Sequence, residues 1–216
     1  NQEIGVLVEG FDTPPYIMMG HAPRYYDDAI KRCDYRQAQD LLAYELSDTE
    51  VTVPRTMQAL LNRSADRVKV RCLDRKNKAA DLEIMRDIFN DAWENNWNFV
   101  PFTREEFKAV GSELLMLLPK DFIQIAEIDG KPSAFLALLP NVNEVITDLD
   151  GKLLPFGWAK LAWRVKVKFP KTARVALMGV RQEYQNTRFG PGLAYTVMKA
   201  AMDAAFEKGL ERAELS

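Results

Sequence analysis

The residues best suited to chemistry lie in one run, Ala176-Leu177-Met178-Gly179-Val180-Arg181-Gln182-Glu183-Tyr184-Gln185-Asn186-Thr187-Arg188-Phe189-Gly190-Pro191-Gly192-Leu193-Ala194. It reads as an apolar strand, a polar turn from Arg181 to Arg188, and a helix opened by Pro191. A loop that leaves a strand and enters a helix turns successive backbone N–H groups, with the positive end of the helix dipole, toward one spot where an anion can sit. A phosphate-bearing ligand is the natural inference. Two common phosphate loops do not fit. No GxxxxGK[ST] string occurs, and GxGxxG is half met by Gly190 and Gly192 but meets Tyr195 at its third glycine, too long after the strand. Metal chemistry lacks its usual parts. His21 is the single histidine, and Cys33 and Cys72 stand 39 positions apart, which matches neither a zinc-ligand spacing nor CxxC.

The elements that must position this run follow from periodicity. Val68, Val70 and Cys72 alternate with Arg67, Lys69 and Arg71, predicting a half-buried strand over residues 68–73. Leu82, Met85, Phe89, Ala92 and Trp93 form an apolar stripe on a helix over 80–95. Thr103 with Glu106 is a capping box, and Phe107, Val110, Leu114, Leu117 and Leu118 continue a helix over 103–118 until Pro119. Residues 122–128 and 133–139 are two apolar strands joined through Asp129-Gly130, a dipeptide suited to a tight hairpin. A long irregular segment over 141–171 leads to a strand over 173–180, a helix over 191–208 stopped by Gly209, and a strand over 211–215. Ahead of these, residues 4–8 and 41–46 read as strands, with a helix between them carrying Tyr25, Tyr26, Ala29, Ile30 and Cys33. A polar stretch from 47 to 66 contains a short helix near Met57 to Leu61.

Composition bounds the whole. A chain of 216 residues, 47% apolar and 28% charged, builds an ordinary globular core. Its net charge of −2 supplies no general excess of positive charge, which disfavours a dedicated nucleic-acid binder. No apolar run reaches the roughly 18–20 residues that span a bilayer, and no basic-then-apolar leader opens the chain. A cytoplasmic protein that does not engage a membrane is the expectation, and two cysteines of this spacing suit a reducing compartment.

Gln185-Asn186-Thr187-Arg188-Phe189-Gly190 resembles the pyrophosphate loop of the Gcn5-related N-acetyltransferase family, Q/R-x-x-G-x-G/A, at its first and sixth positions. Arg188 stands where the family has glycine. A Cβ there obstructs close backbone approach, while the guanidinium could meet the same phosphates. The order strand, helix, helix, hairpin, strand, helix, strand over residues 66–216 is similar to the family's β1-α1-α2-β2-β3-β4-α3-β5. Asp91 to Trp97 and Leu153 to Trp158 resemble a tandem bacterial branch of it. The resemblance implies an α+β (α/β) fold with a mixed, mostly antiparallel central sheet flanked by helices, incomplete at both ends. Residues 1–48 would be the strand-helix-strand remnant of a first unit, 49–65 a linker, and 66–216 an acyl-CoA-binding domain lacking its last elements. In the alternative arrangement, residues 1–46 pack onto the second unit and replace its closing strands.

The same resemblance implies acetyl-CoA or another acyl-CoA as cosubstrate, no metal, and acyl transfer to an amine of a small molecule or peptide, with a homodimer among the assemblies it admits. Met178 and Val180 would lie beside the pantetheine arm and thioester, and Gln185, Asn186, Thr187, Arg188, Phe189 and Gly190 around the diphosphate. A free amine with a pKa of about 10 must lose a proton before it attacks. No residue is nominated as base or acid, and Tyr25 or Tyr26 qualifies as acid only in the packed arrangement. The other function class is a non-catalytic module of the same fold that binds CoA or serves as an interaction scaffold, and Arg188 favours it. Several residues keep two readings. Trp93, Glu94, Asn96 and Trp97 either begin an acceptor groove or, for Trp93, pack the core. Lys160, Arg164, Lys166, Lys168, Lys171 and Arg174, interleaved with Trp158, Trp163 and Phe169, are either a solvated face or a phosphate-binding patch. Glu127 is a surface strand residue or a base, and His21 a turn residue.

Overall fold

The computed structural model describes residues 5–47, 53–64, 66–149, 154–167 and 169–215. In chain order the elements are α1 (Tyr25–Arg32), β1 (Tyr44–Ser47), α2 (Arg55–Ser64), β2 (Val68–Cys72), α3 (Lys78–Trp93), α4 (Arg104–Leu117), β3 (Ile123–Ile128), β4 (Lys131–Pro140), α5 (Asn143–Ile146), α6 (Gly157–Val167), β5 (Thr172–Val180), α7 (Gln182–Gln185), α8 (Gly190–Glu207) and β6 (Arg212–Leu215). The strands form one six-stranded sheet in the order β1-β6-β5-β4-β3-β2. Every pairing is antiparallel except β5 with β6.

β4 shows why its sequence reads as an unbroken apolar run. Side chains alternate across a strand. Ala134, Leu136 and Leu138 enter the core under α8, whereas Phe135, Ala137 and Leu139 enter the core under α3 and α4. Both faces of β4 are therefore covered, and none of these six residues is more than 3% exposed. The outer strand β2 alternates instead, with Val68 and Val70 packed against the α8 core. Its Arg71 reaches over the other face to Asp81 of α3, with Nη1 and Nη2 each 2.8 Å from a carboxylate oxygen, and its Nε donates to Glu127 at 2.8 Å. Asp81 is buried and also accepts from the Asp74 amide at 2.7 Å, so the start of α3 is tied to the sheet through a satisfied charge.

The capping box forms as the Thr103 and Glu106 spacing predicts, with the Thr103 hydroxyl accepting from the Glu106 amide and the Glu106 carboxylate accepting from the Thr103 amide. Those bonds hold the Glu106 carboxyl below its ordinary pKa. The Asp129-Gly130 turn takes positive φ at both residues, 51° and 80°, as a tight hairpin turn requires.

Other expectations change. The run at 4–8 is not a strand over Gly5–Val8, because neither sheet edge, β1 nor β2, pairs with it; Ile4 lies outside the described residues. The 141–171 segment is partly helical, and the turn over 181–188 contains the short helix α7. The strand expected at 41–46 starts at Tyr44 and forms the sheet edge on β6, Glu45 opposite Glu214 and Leu46 opposite Ala213. This is the pairing that the packed arrangement of the N-terminal segment calls for. The helix α1 itself buries no residue. Replacing Thr103 by Ala removes one half of the capping box and is expected to destabilise the protein by about 1 kcal/mol, measured by urea denaturation.

Candidate functional site

β5 carries the centre of the site, and an extra residue sets its orientation. Leu177 faces Ala137 and Val175 faces Leu138, so Ala176 is a bulge in the β4–β5 ladder. Before it, Ala173 and Val175 pack under α8; after it, Met178 and Val180 do. Gly179 then faces α3. An ideal Cβ at that position would lie 3.2 Å from Phe135, 3.3 Å from Ala92 and 3.3 Å from Ile88, so glycine lets the end of α3 settle directly on the strand.

The Arg181 amide donates to Ser133 O at 2.9 Å, which makes residues 177, 179 and 181 the ones bonded to β4. Met178 and Val180 consequently turn their N–H and C=O groups to the opposite edge. β6 pairs with β5 only over Thr172–Val175. Beyond Val175 that edge of β5 has no strand partner among the described residues, and Ala176, Leu177 and Met178 are only half-buried. Side chains hold its carbonyls. Trp93 Nε1 donates to Met178 O at 2.8 Å, and Gln185 Nε2 donates to Val180 O at 2.8 Å and to Ala92 O at 3.0 Å. Asp91 accepts from the Gln182 amide at 2.8 Å, completing a clamp between the end of α3 and the strand-to-helix turn. The amides of Met178 and Val180 are thus presented on a rigid, one-sided edge.

The loop ahead of α8 differs from a row of outward amides. Tyr184 and Gln185 N–H donate to Arg181 O, Thr187 N–H to Tyr184 O, Phe189 N–H to Thr187 Oγ1, and Gly190 N–H to Thr187 O. These five serve the loop itself. Among the described residues, Arg188 and Gly192 keep amides without such a partner at the start of α8. Gly190 is present for close packing, since a Cβ there would stand 2.6 Å from Tyr184 O and 2.7 Å from Gln185 O. Gly192 is buried, yet a Cβ there meets nothing within 4 Å. That crevice was not singled out from sequence, where Gly192 is one of two similar glycines. Arg188 is exposed, its guanidinium 5.3 Å from the Phe189 ring centre, with Arg67 on the same ring at 5.2 Å. Asn186 and Thr187 are exposed on the turn.

The remaining candidates separate. Trp93 is a core residue with a polar tip, stacked on Phe89 at 5.6 Å. Glu94 and Asn96 are exposed, and Trp97 is 60% exposed in the turn after α3. Glu127 is held by Arg71 and is a structural partner. His21 is exposed. Tyr25 and Tyr26 meet edge-to-face on α1, with no residue of that helix buried. A tyrosine missed from sequence, Tyr16, lies against β1 instead: its hydroxyl donates to Glu45 at 2.6 Å. Burial, and then that bond, push its pKa well above the ordinary tyrosine value. Its proton is committed, and no catalytic role is assigned to it. Arg174 pairs with buried Glu214 at 3.1 Å and donates to the carbonyls of Ile17 and Met18, anchoring the N-terminal segment beside β5. Among the described residues no cluster of His, Cys, Asp or Glu suits a metal ion, and no helix is long and apolar enough to cross a membrane.

No family model matches the chain. It is 46% identical over 216 residues to Protein YghO of Escherichia coli (strain K12) and 42% identical over 217 residues to the Bacterial ceramide synthase of Caulobacter vibrioides (strain NA1000 / CB15N). Both alignments cover the whole chain, and the chain spans about half the length of these curated relatives, 55% and 56%. Among solved structures, a GCN5-related N-acetyltransferase from Sphaerobacter thermophilus superposes with a TM-score of 0.51 at 11% identity, over 87% of this chain and 45% of that one. The chain therefore has the Gcn5-related N-acetyltransferase fold: a mostly antiparallel six-stranded sheet between α3/α4 and α8.

The two loop glycines are expected to behave oppositely. Gly190→Ala places a methyl group against two carbonyl oxygens and should destabilise by about 1–3 kcal/mol or more. Gly192→Ala should be neutral or stabilising by up to about 1 kcal/mol, because it only lowers the entropy lost in a helix. Urea denaturation of the two variants side by side checks this.

Proposed function

We propose that this chain is the acyl-CoA-binding part of an N-acyltransferase, with Met178 and Val180 along the pantetheine and thioester and Arg188, Gly192 and the neighbouring turn residues at the diphosphate. The observation that carries the reading is the unpaired edge of β5 after its bulge, where two amides aim at one open side ahead of the turn that leads into α8. The residues fit the ligand. A chain of amide groups such as pantetheine can pair along a strand edge, and the crevice at Gly192 leaves space where a phosphate would meet the start of α8. Gln185, Asn186, Thr187, Phe189 and Gly190 shape this turn more than they donate to it.

The chemistry asked of the site is limited. The acceptor amine, once deprotonated, attacks the thioester carbonyl; the C–N bond forms, the C–S bond breaks, and the thiolate leaves and takes up a proton. Negative charge grows on the carbonyl oxygen during attack, and an amide on the free β5 edge is the group to stabilise it. The acceptor proposed here is supported by a relative. A ceramide is an amide of a long-chain amine, so the 42% identity to a bacterial ceramide synthase supports a long-chain amine as acceptor and a long acyl chain as donor group. In the same reading residues 66–216 form the acyl-CoA-binding unit, and β1 closes its sheet.

A second reading, a non-catalytic module of this fold, is favoured by the loop amides that bond inward and by Arg188 in place of glycine. Ligand binding and turnover separate the two. At a hundredfold excess over its dissociation constant, a ligand bound only by the folded state stabilises by about 2.7 kcal/mol, which for a domain of this size raises Tm by roughly 5–10 °C. Acetyl-CoA or palmitoyl-CoA is expected to give such a shift with the full-length protein, and Gly192→Asp to abolish it, with the Tm of the unliganded variant measured alongside as its own baseline. A shift without release of CoA in the presence of a long-chain amine selects the non-catalytic reading. No shift with either thioester overturns both CoA-binding readings and leaves only the interaction scaffold.

A further inference from the structure

We infer that the turn 154–156 and helix α6 form a membrane-surface contact that lies on anionic phospholipid. The observation is an exposed apolar set of unusual size. Leu154 is 81% exposed, Phe156 77%, Trp158 59% and Trp163 57%. Solitary exposed apolar residues are ordinary, but four large ones within ten positions are not.

The geometry of α6 explains how they come to share a side. At about 100° per residue, Lys160, Leu161 and Arg164 fall on one face and Trp158, Ala159 and Trp163 on the other. The first face is held to the protein. Lys160 Nζ and Arg164 Nη2 bond Asp148 at 2.7 and 2.8 Å, Arg164 also donates to Val145 O at 2.9 Å, and Leu161 is half-buried. Those bonds hold the Asp148 carboxyl far below the ordinary carboxylate range. With that face anchored, both tryptophans point away from the fold, next to the turn that carries Leu154 and Phe156. Side chains this exposed project outward and do not line a groove, which suits a soft planar surface better than a shaped protein partner.

Charge selects the kind of surface. The protein carries a net −2, yet from Lys152 to Arg181 there are eight Lys and Arg and no Asp or Glu; of these Lys171 and Arg174 are paired with Glu211 and Glu214 from elsewhere in the chain. Lys160 and Arg164 share the single Asp148, so the anchored face keeps a positive charge, and Lys166 and Lys168 follow in the same stretch. Tryptophan, phenylalanine and leucine beside lysine and arginine are the composition of a helix lying in the headgroup layer, where each basic residue is attracted by anionic lipid. This is contact with a surface, without a span. It does not depend on which ligand β5 binds.

The test is sedimentation of the full-length protein with vesicles of phosphatidylcholine containing about 30% phosphatidylglycerol, against vesicles of phosphatidylcholine alone. The protein is expected to sediment with the anionic vesicles, with a blue shift of tryptophan emission, and to be released by about 0.5 M salt. The combined variant Phe156→Ser, Trp158→Ser and Trp163→Ser should bind at least about tenfold more weakly while melting at the same temperature. Trp163→Ser alone, at an exposed position, serves if the combined variant does not fold. The proposal is overturned if the wild-type protein ignores both kinds of vesicle, or if a folded variant sediments like wild type. It is equally overturned if light scattering shows a dimer that these substitutions disperse while the vesicles bind nothing, which would make the patch an interface between copies.

Discussion

The closeness of α3 to β5 at Gly179 is the constraint around which the candidate site is arranged. Because no side chain stands between them, the Ile88 and Ala92 side chains come within 3.3 Å of where a Cβ on Gly179 would stand. That proximity brings Trp93 to the Met178 carbonyl, Asp91 to the Gln182 amide, and the Gln185 side chain to Ala92 and Val180. Each bond satisfies a polar group that would otherwise be costly beside an apolar core. A larger residue at 179 would separate the helix from the strand and loosen all of them together. The strand edge is rigid because its carbonyls are already held, which leaves its amides to face outward.

A second constraint is the company β5 keeps. It runs antiparallel to β4 and parallel to β6, and the bulge at Ala176 falls just where the pairing with β6 stops. The bulge exchanges the two faces of the strand, so apolar residues stay under α8 on both sides of it. The buried pair of Arg174 and Glu214 crosses the β5–β6 seam below this point and ties the N-terminal segment to it. Removal of either partner would leave a charge in a place with little water, which is the expensive way to lose an ion pair.

Much of this was legible in the residues. The stripe from Leu82 to Trp93, the capping box at Thr103, the Asp129-Gly130 turn and the double-sided apolar run of β4 each encode an element locally, and each element formed. The seven elements between residues 68 and 215 occur in the order read from their periodicity. The loop was less legible. Gly190 and Gly192 look alike as letters, but one is pressed against the carbonyls of α7 and the other borders open space. The choice depends on a short helix, Gln182–Gln185, whose polar residues carry no periodic signal. The strand expected at 4–8 failed for a related reason: β-propensity needs a partner edge, and its residues cannot say whether one is within reach.

The type and order of the main elements between residues 68 and 215 and the capping of α4 follow from local chemistry, so the linear chain determined them. The bulge in β5, the inward bonding of the loop amides, the meeting of Trp93 with Met178 and the joint outward display of Trp158 and Trp163 were decided only on folding. They depend on which groups lie side by side after segments tens of residues apart have packed, and on which polar atoms that packing leaves to be satisfied.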